Sequence, residues 1–258
     1  MSFDPAAAAR HIADAHANGA RFENLVGPLD PPTIADAYRV QEALAKVWTP
    51  SRGPVAGLKI ATTTKVMQQL MGIDHPCGGM IYASAIHASP ARIKAASFMH
   101  LVVECELAVR LGADLPARAQ PYSRADVRAA IDAVMPAFEL IEDRHANYKS
   151  TSAKTLIADN AWNGGIVLGA PVTLSSAFDP DKLAGTLSIN GKQAHTGLTD
   201  DPLGALAWIA NLAIERDRPM TRGMVVITGS VIPTLPIALG DQFSFALQGL
   251  GAVEMTSV

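Results

Sequence analysis

"HLVVECELAVRLG", residues 100–112, sets Glu104 and Glu106 two positions apart in an otherwise apolar run. In a helix, side chains at i and i+2 point to nearly opposite faces; in a strand they share one. Read with period two, Leu101, Val103, Cys105, Leu107, Val109 and Leu111 form an unbroken apolar face, while Val102, Glu104, Glu106, Ala108 and Arg110 form the other. That alternation predicts a strand with one face packed on the core. The two carboxylates then stand side by side, where like charges repel unless a cation or a shared proton relieves them. The plain alternative is a solvated face with Arg110 as partial counter-charge.

A chain of 258 residues can bury a sizeable core as one large domain or two small ones. With 49% hydrophobic and 17% charged residues it is not disordered in general. The low charged fraction and a mean hydropathy of +0.18 leave less polar surface than a monomer usually shows, which points to a homo-oligomer. A net charge of −3 supplies no basic footprint for a phosphate backbone, so no nucleic-acid partner is expected. Cys77 and Cys105 make no disulfide framework, and no segment has the ~20 apolar residues of a membrane span. A reducing cytoplasm is the expected location, without a membrane partner.

Two helical patterns open the chain. "DPAAAARHIADAHANG" has Asp4 as N-cap and Pro5 at the first helical position, and "DPPTIADAYRVQEALAKVW" repeats apolar residues at helical spacing with Gln41 as its one polar interruption. "GPVAGLKIAT" reads as a strand and "TTTKVMQQLMG" as a short threonine-capped helix. "GIDHPCGGMIYASAIHASPARI" reads as a Gly- and Pro-rich loop with short strands, which makes Cys77 a loop thiol. "PYSRADVRAAIDAVMP" predicts a helix that starts at a Ser123/Asp126 capping box and stops at Pro136, with "AFELIED" as the next strand. "INGK" marks a tight hairpin, and "DPLGALAWIANLAIERD" a helix. The expected class is α+β: a helical N-terminal segment over residues 1–50 and a strand-rich catalytic domain over residues 51–258.

A third carboxylate, Glu139, lies between Phe138 and Leu140 in "MPAFELIEDRH", another core-bound strand. Three oxygen donors on strands, without Cys or His at ligand spacing, suit a hard divalent cation, Mg²⁺ or Mn²⁺. Zinc would prefer nitrogen or sulfur, and the seven histidines show no H-x-x-x-H pair. Lys59, alone between Leu58 and Ile60, is either a snorkelling edge lysine or a buried one whose pKa is lowered so that it can move protons.

The order "GLKIATTTKVMQQLMGIDHP", "VVECELAVRLGADL", "PAFELIEDR", "IADNAWNGGIVLG" and "ITGSVIP…ALGD" resembles the 2-keto-4-pentenoate hydratase family of the fumarylacetoacetate hydrolase superfamily, which also holds 2-oxo-3-enedioate (4-oxalocrotonate) decarboxylases. The resemblance covers most of the chain. It implies that Glu104, Glu106 and Glu139 bind one Mg²⁺ or Mn²⁺, that Lys59 is the active-site lysine, and that Gly229 and Ser230 lie by the substrate carboxylate. It further implies a mixed β-roll of the fumarylacetoacetase C-terminal type, an oligomer, a small-molecule 2-keto acid substrate of aromatic catabolism, and a complex with a related decarboxylase or hydratase.

Two positions depart from the family's pattern. Its P-D-[FY]-G aspartate, a candidate proton donor, is replaced by Cys77 in "HPCGGM", and the serine of its D-N-A-S pattern by Trp162 in "DNAWNGG". The implied activity is a hydratase that adds water to a 2-hydroxy-2,4-dienoate to give a 4-hydroxy-2-keto acid. A 2-oxo-3-enedioate decarboxylase or an acylpyruvate hydrolase would use the same metal site, and a weakly active keto-acid-binding or partner subunit is the non-enzymatic alternative.

Overall fold

The apolar face read from residues 101–111 is the middle of the molecule. In the computed structural model, which describes residues 3–175 and 178–258, this segment is a single strand, β5 (Leu101–Leu111). All six residues of its apolar face lie in the main core.

Helices α1 (Pro5–Ala17) and α2 (Ile34–Arg52) come first, followed by β1 (Val55–Ala61), α3 (Lys65–Leu70), β2 (Cys77–Tyr82), β3 (Ile86–Ala88) and β4 (Ala91–Ile93). After β5 come α4 (Arg124–Ala130), β6 (Ile131–Glu142), α5 (Ala153–Ala158), β7 (Asn163–Leu168) and β8 (Val172–Thr173). The chain ends with β9 (Ala184–Ile189), β10 (Lys192–Leu198), α6 (Pro202–Glu215), β11 (Val225–Pro236), β12 (Gln242–Leu247) and β13 (Gly251–Ser257).

Local chemistry sets many of these boundaries. Asp4 accepts the Ala6 N–H and Thr33 the Asp36 N–H, and Ser123 with Asp126 closes the expected capping box at α4. Asn190 and Gly191, both at positive φ (52° and 74°), form the tight turn between β9 and β10.

The strands form two mixed sheets. The larger runs β2-β1-β11-β5-β6-β7-β3, with β8 on the free end of β6; the smaller runs β10-β9-β12-β13-β4. They pack face to face. Val103, Cys105 and Leu107 of β5, with Phe138 and Leu140 of β6, share one core with Leu187, Phe243, Phe245, Val253 and Met255 of the smaller sheet. Each fully buried Leu, Val or Phe there contributes about 1.5–3 kcal/mol.

The opposite face of the larger sheet carries the charged residues; at one end Leu156 of α5 packs with Val102 and Ile141, and at the other Ile81 of β2 packs with Ala108, Met135 and Ile227 of the same sheet, while α1 and α2 lie on the far side of β2. Ala8, Ile12, Val40, Leu44 and Trp48 of α1 and α2 pack on Met80 and Tyr82 of β2. Gln41, the polar interruption in α2, is buried because its amide donates to the carbonyls of Gly78 (2.9 Å) and Ile157 (2.8 Å). No helix among the described residues is long and apolar enough to cross a membrane.

Two segments differ from the sequence expectation. The helix opened by Ser123 ends at Ala130, and β6 already begins at Ile131, so Pro136 lies inside a strand. Pro136 falls where the outer neighbour of β6 changes from β7 (paired from Ala137) to β8 (paired from Val134), so its missing N–H breaks little of the ladder. The expected short strands of the Gly- and Pro-rich segment are present as β2, β3 and β4, but Cys77, expected in a loop, begins β2, whose six residues are all buried. A strand buried on both faces shows no alternation to read.

Candidate active site and metal centre

Five adjacent strands of the larger sheet, β1, β11, β5, β6 and β7, supply the charged cluster. Glu104 of β5 pairs directly with Glu139 of β6, and Glu106 pairs with Ser230 of β11. Glu104, Glu106 and Glu139 therefore share one face, with a carboxylate oxygen of each within 4.8 Å of the others. Glu106 and Glu139 are wholly buried and Glu104 is half-buried. The solvated-face alternative does not hold.

Lys59 enters from β1, 2% exposed, with Nζ 3.0 Å from Glu139 Oε1. Gly79 opposite it is required by space: a Cβ there would lie 2.9 Å from Lys59 Cγ and 2.8 Å from the Asn160 carbonyl oxygen. Asn163 Nδ2 donates to the same Glu139 oxygen (2.9 Å), and the Thr234 hydroxyl donates to Glu104. Glu106 Oε2 accepts the Gly229 N–H at 2.7 Å. The register of β11 shifts beside Gly229, whose φ of +121° turns that N–H toward the carboxylate.

Burial pushes Glu106 well above the ordinary carboxylate range, with repulsion from Glu139 and Glu104 adding to it. Burial also raises Glu139, to about 7, although Lys59 opposes it. For Lys59, burial is the largest influence and acts downward, but Glu139, Glu104 and Glu106 together outweigh it and leave the amine above its ordinary value. Burial lowers the Lys59 pKa as expected, but with no cation among them the surrounding carboxylates outweigh it and favour the charged form.

The cluster fits a hard cation. Glu106 Oε1 and Glu139 Oε2 are buried without any hydrogen-bond partner, an arrangement that is costly unless something positive meets those oxygens. The donors are all oxygen, as Mg²⁺ and Mn²⁺ prefer.

A cavity of about 530 Å³ opens beside the cluster. Lys59, Glu104, Ser230 and Thr234 line it together with Thr62, Thr63 and Thr64, while Met67, Met71, Ile141, Leu156 and Trp162 supply apolar wall. Gly229 touches the cluster through its N–H, and Ser230 reaches the cavity. Cys77 is a buried strand residue rather than a loop thiol; burial raises its pKa to about 11, so it stays protonated at neutral pH. Asn163 and Thr234 escape the sequence reading, because they contact their glutamates across 24 and 130 residues respectively.

The fumarylacetoacetate (FAA) hydrolase C-terminal family model matches residues 59–258. The chain belongs to that family. It is 32% identical to 2-keto-4-pentenoate hydratase 1 of Dechloromonas aromatica (strain RCB), over 89% of each chain. It is also 32% identical to 2-hydroxyhexa-2,4-dienoate hydratase of Comamonas testosteroni, over 86% of each. Among solved structures, 4-oxalocrotonate decarboxylase from Pseudomonas putida G7, complexed with magnesium and adipate, superposes with a TM-score of 0.88 at 28% identity, covering 98% of this chain and 97% of that one. The mixed β-roll and the family implied by the order of motifs are both borne out.

Proposed function

We propose that this FAA hydrolase family member is a divalent-cation-dependent hydratase that converts a 2-hydroxy-2,4-dienoate into a 4-hydroxy-2-keto acid. The observation that carries the reading is the pair of buried, unpartnered carboxylate oxygens on Glu106 and Glu139 beside Lys59. The hydratase names of relatives at 32% identity support the reaction class. Glu104, Glu106 and Glu139 would hold the cation, Mg²⁺ or Mn²⁺, and the substrate would sit in the adjoining cavity of each subunit of a homo-oligomer. When bound, the cation would supply Lewis-acid polarisation of the keto oxygen.

The chain's own residues do the rest. Ketonisation carries the enol proton to carbon 5 of the dienoate; water then adds across the remaining double bond, its oxygen at carbon 4 and its proton at carbon 3. Lys59, buried with Nζ 3.0 Å from Glu139 Oε1 and lining the cavity, would be the proton-carrying group. Gly229 orients Glu106 through its N–H, and Ser230, whose hydroxyl donates to the Ile232 carbonyl, lines the cavity where a substrate carboxylate would sit.

The likeness to the P. putida decarboxylase keeps a second reading, loss of CO₂ from a 2-oxo-3-enedioate. Purified protein with Mg²⁺ and 2-hydroxypenta-2,4-dienoate should consume the diene absorbance. CO₂ release from a 2-oxo-3-enedioate without diene loss would replace the hydratase by the decarboxylase, and silence with both would remove the enzymatic reading.

A further inference from the structure

Water that adds at carbon 4 must lose a proton, and the groups already assigned do not take it. The three glutamates would hold the cation, and Lys59, paired with Glu139, would serve carbon 3. Cys77, which stands where the family's pattern has an aspartate, is buried, protonated at neutral pH and does not line the cavity. The addition calls for a separate base.

The hydroxyls of the cavity wall differ in what stands behind them. Thr62 donates to the Ala61 carbonyl (2.7 Å), Ser230 to the Ile232 carbonyl and Thr234 to Glu104, while Thr64 accepts the Met67 N–H (3.3 Å). Among the described residues that line the cavity, only Tyr148 sends its hydroxyl to a carboxylate outside the glutamate cluster: Oη donates to Asp143 Oδ2 at 3.0 Å.

Asp143 is 3% exposed and its orientation is fixed. Its other oxygen, Oδ1, meets the His145 N–H (2.9 Å) and His100 Nδ1 (2.6 Å), which leaves Oδ2 to Tyr148. An ionised carboxylate only accepts, so the hydrogen of His100 sits on Nδ1. The turn that aims the His145 N–H holds Arg144 and His145 at positive φ (49° and 60°), a conformation that persists only when its surroundings impose it. Arg144 does so by donating to the Ala20 carbonyl (3.0 Å) and to Asp159 (2.6 Å). The Tyr148 ring is set edge-on to Trp162, with centroids 5.2 Å apart. Burial and then Asp143 push the Tyr148 pKa up, so the hydroxyl keeps a proton and acts only by passing one along.

We propose that the Tyr148 hydroxyl takes the proton of the attacking water and passes its own to Asp143. The proposal rests on the hydratase reading and adds a second proton-transfer pair to it. As the bond from oxygen to carbon 4 forms, the water O–H breaks; its proton moves to Tyr148 Oη while the tyrosine proton moves to Asp143 Oδ2. The electron pair of the double bond between carbons 3 and 4 shifts into the enolate, and carbon 3 then takes a proton from Lys59. When product leaves, the proton on Asp143 returns through Tyr148 and cavity water to Lys59, and both groups regain their starting state.

Tyr148→Phe removes the hydroxyl and keeps the ring against Trp162. With Mg²⁺ and 2-hydroxypenta-2,4-dienoate followed by NMR, this variant should still ketonise the diene but form the 4-hydroxy-2-keto acid about 10²–10⁴-fold more slowly, so that 2-oxo-3-pentenoate accumulates. Asp143→Asn should give the same split. Deuterium exchange at carbon 3 of bound 2-oxopentanoate requires only enolisation; it should persist in both variants and shows that each is folded. Hydration by Tyr148→Phe at the unsubstituted rate overturns the proposal. Equal loss of hydration and exchange overturns it too, since the pair would then merely support the site. An unsubstituted protein that exchanges the carbon 3 proton without forming hydrated product overturns the hydratase reading and leaves the keto-acid site standing.

Discussion

Replacing Lys59 by Met separates a proton-moving lysine from a structural one, because the apolar stem is kept while charge and donor are lost. Lys59 is 2% exposed and its amine lies 3.0 Å from Glu139 Oε1. Breaking a buried ion pair from one side costs about 3–5 kcal/mol when the remaining charge has no outlet. Glu139 has one: burial already raises its carboxyl, and losing Lys59, which opposes that rise, would let it take up a proton, which places the cost at the low end, about 3 kcal/mol. At about 2–4 °C per kcal/mol for a chain of this size, the metal-free variant should melt about 6–12 °C lower. Saturating Mg²⁺ should shrink that deficit, since a cation relieves the same carboxylates. Proton exchange at carbon 3 of bound 2-oxopentanoate, followed by deuterium incorporation, should fall about 10²–10⁴-fold. Metal affinity should stay equal or rise slightly, because an ammonium no longer repels the cation. Exchange at the unsubstituted rate would make Lys59 a structural residue and refute the mechanism at its centre.

Glu104→Gln and Glu106→Gln should each abolish stabilisation of the fold by Mg²⁺ in thermal melts, whereas Glu142→Gln, whose carboxylate accepts the Met99 N–H at 2.9 Å outside the cluster, should retain it; full Mg²⁺ stabilisation of either former variant would rule out the three-carboxylate centre. His16 supplies a pH dependence. Burial pulls its imidazole down, but Asp159 at 2.6 Å and then Glu142 outweigh it and leave the pKa above 6.5. Its contribution is complete below about pH 6.5 and is lost as pH rises through the higher folded value. The melting-temperature gap between the protein and His16→Gln should therefore narrow as pH rises above about 6.5; a constant gap would show that the pair contributes nothing through protonation.

What the sequence shows of this fold depends on whether a pattern is local. The alternation in β5 is readable because one face is buried against the smaller sheet and the other carries charge, so period two survives in the residues themselves. Lys59 and Glu139 are readable as isolated charges in apolar runs. Pro136 misleads because Val127, Ala130, Ile131 and Val134 fit helical spacing, while the choice of strand from Ile131 onward is made by pairing with β5. The bounds of β2 are hidden for the opposite reason: both its faces are buried, and its two glycines, which read as loop, reflect space needed by neighbours distant in sequence, Lys59 among them.

The support around the carboxylates shows the limit most clearly. A buried Glu106 must find donors, and the sequence offers no nearby candidate. The donor is a backbone N–H from residue 229, 123 positions away, presented by a register shift in β11. Only the glycine is visible beforehand, and its meaning emerges with its geometry: φ is +121°, and an added Cβ would come within 3.1 Å of Thr63 Cγ2. A side chain at residue 229 would thus strain the backbone and press on the threonine segment that lines the cavity. The same glycine serves the carboxylate on one side and leaves room for the cavity on the other, which is why a residue with no functional group belongs to the site.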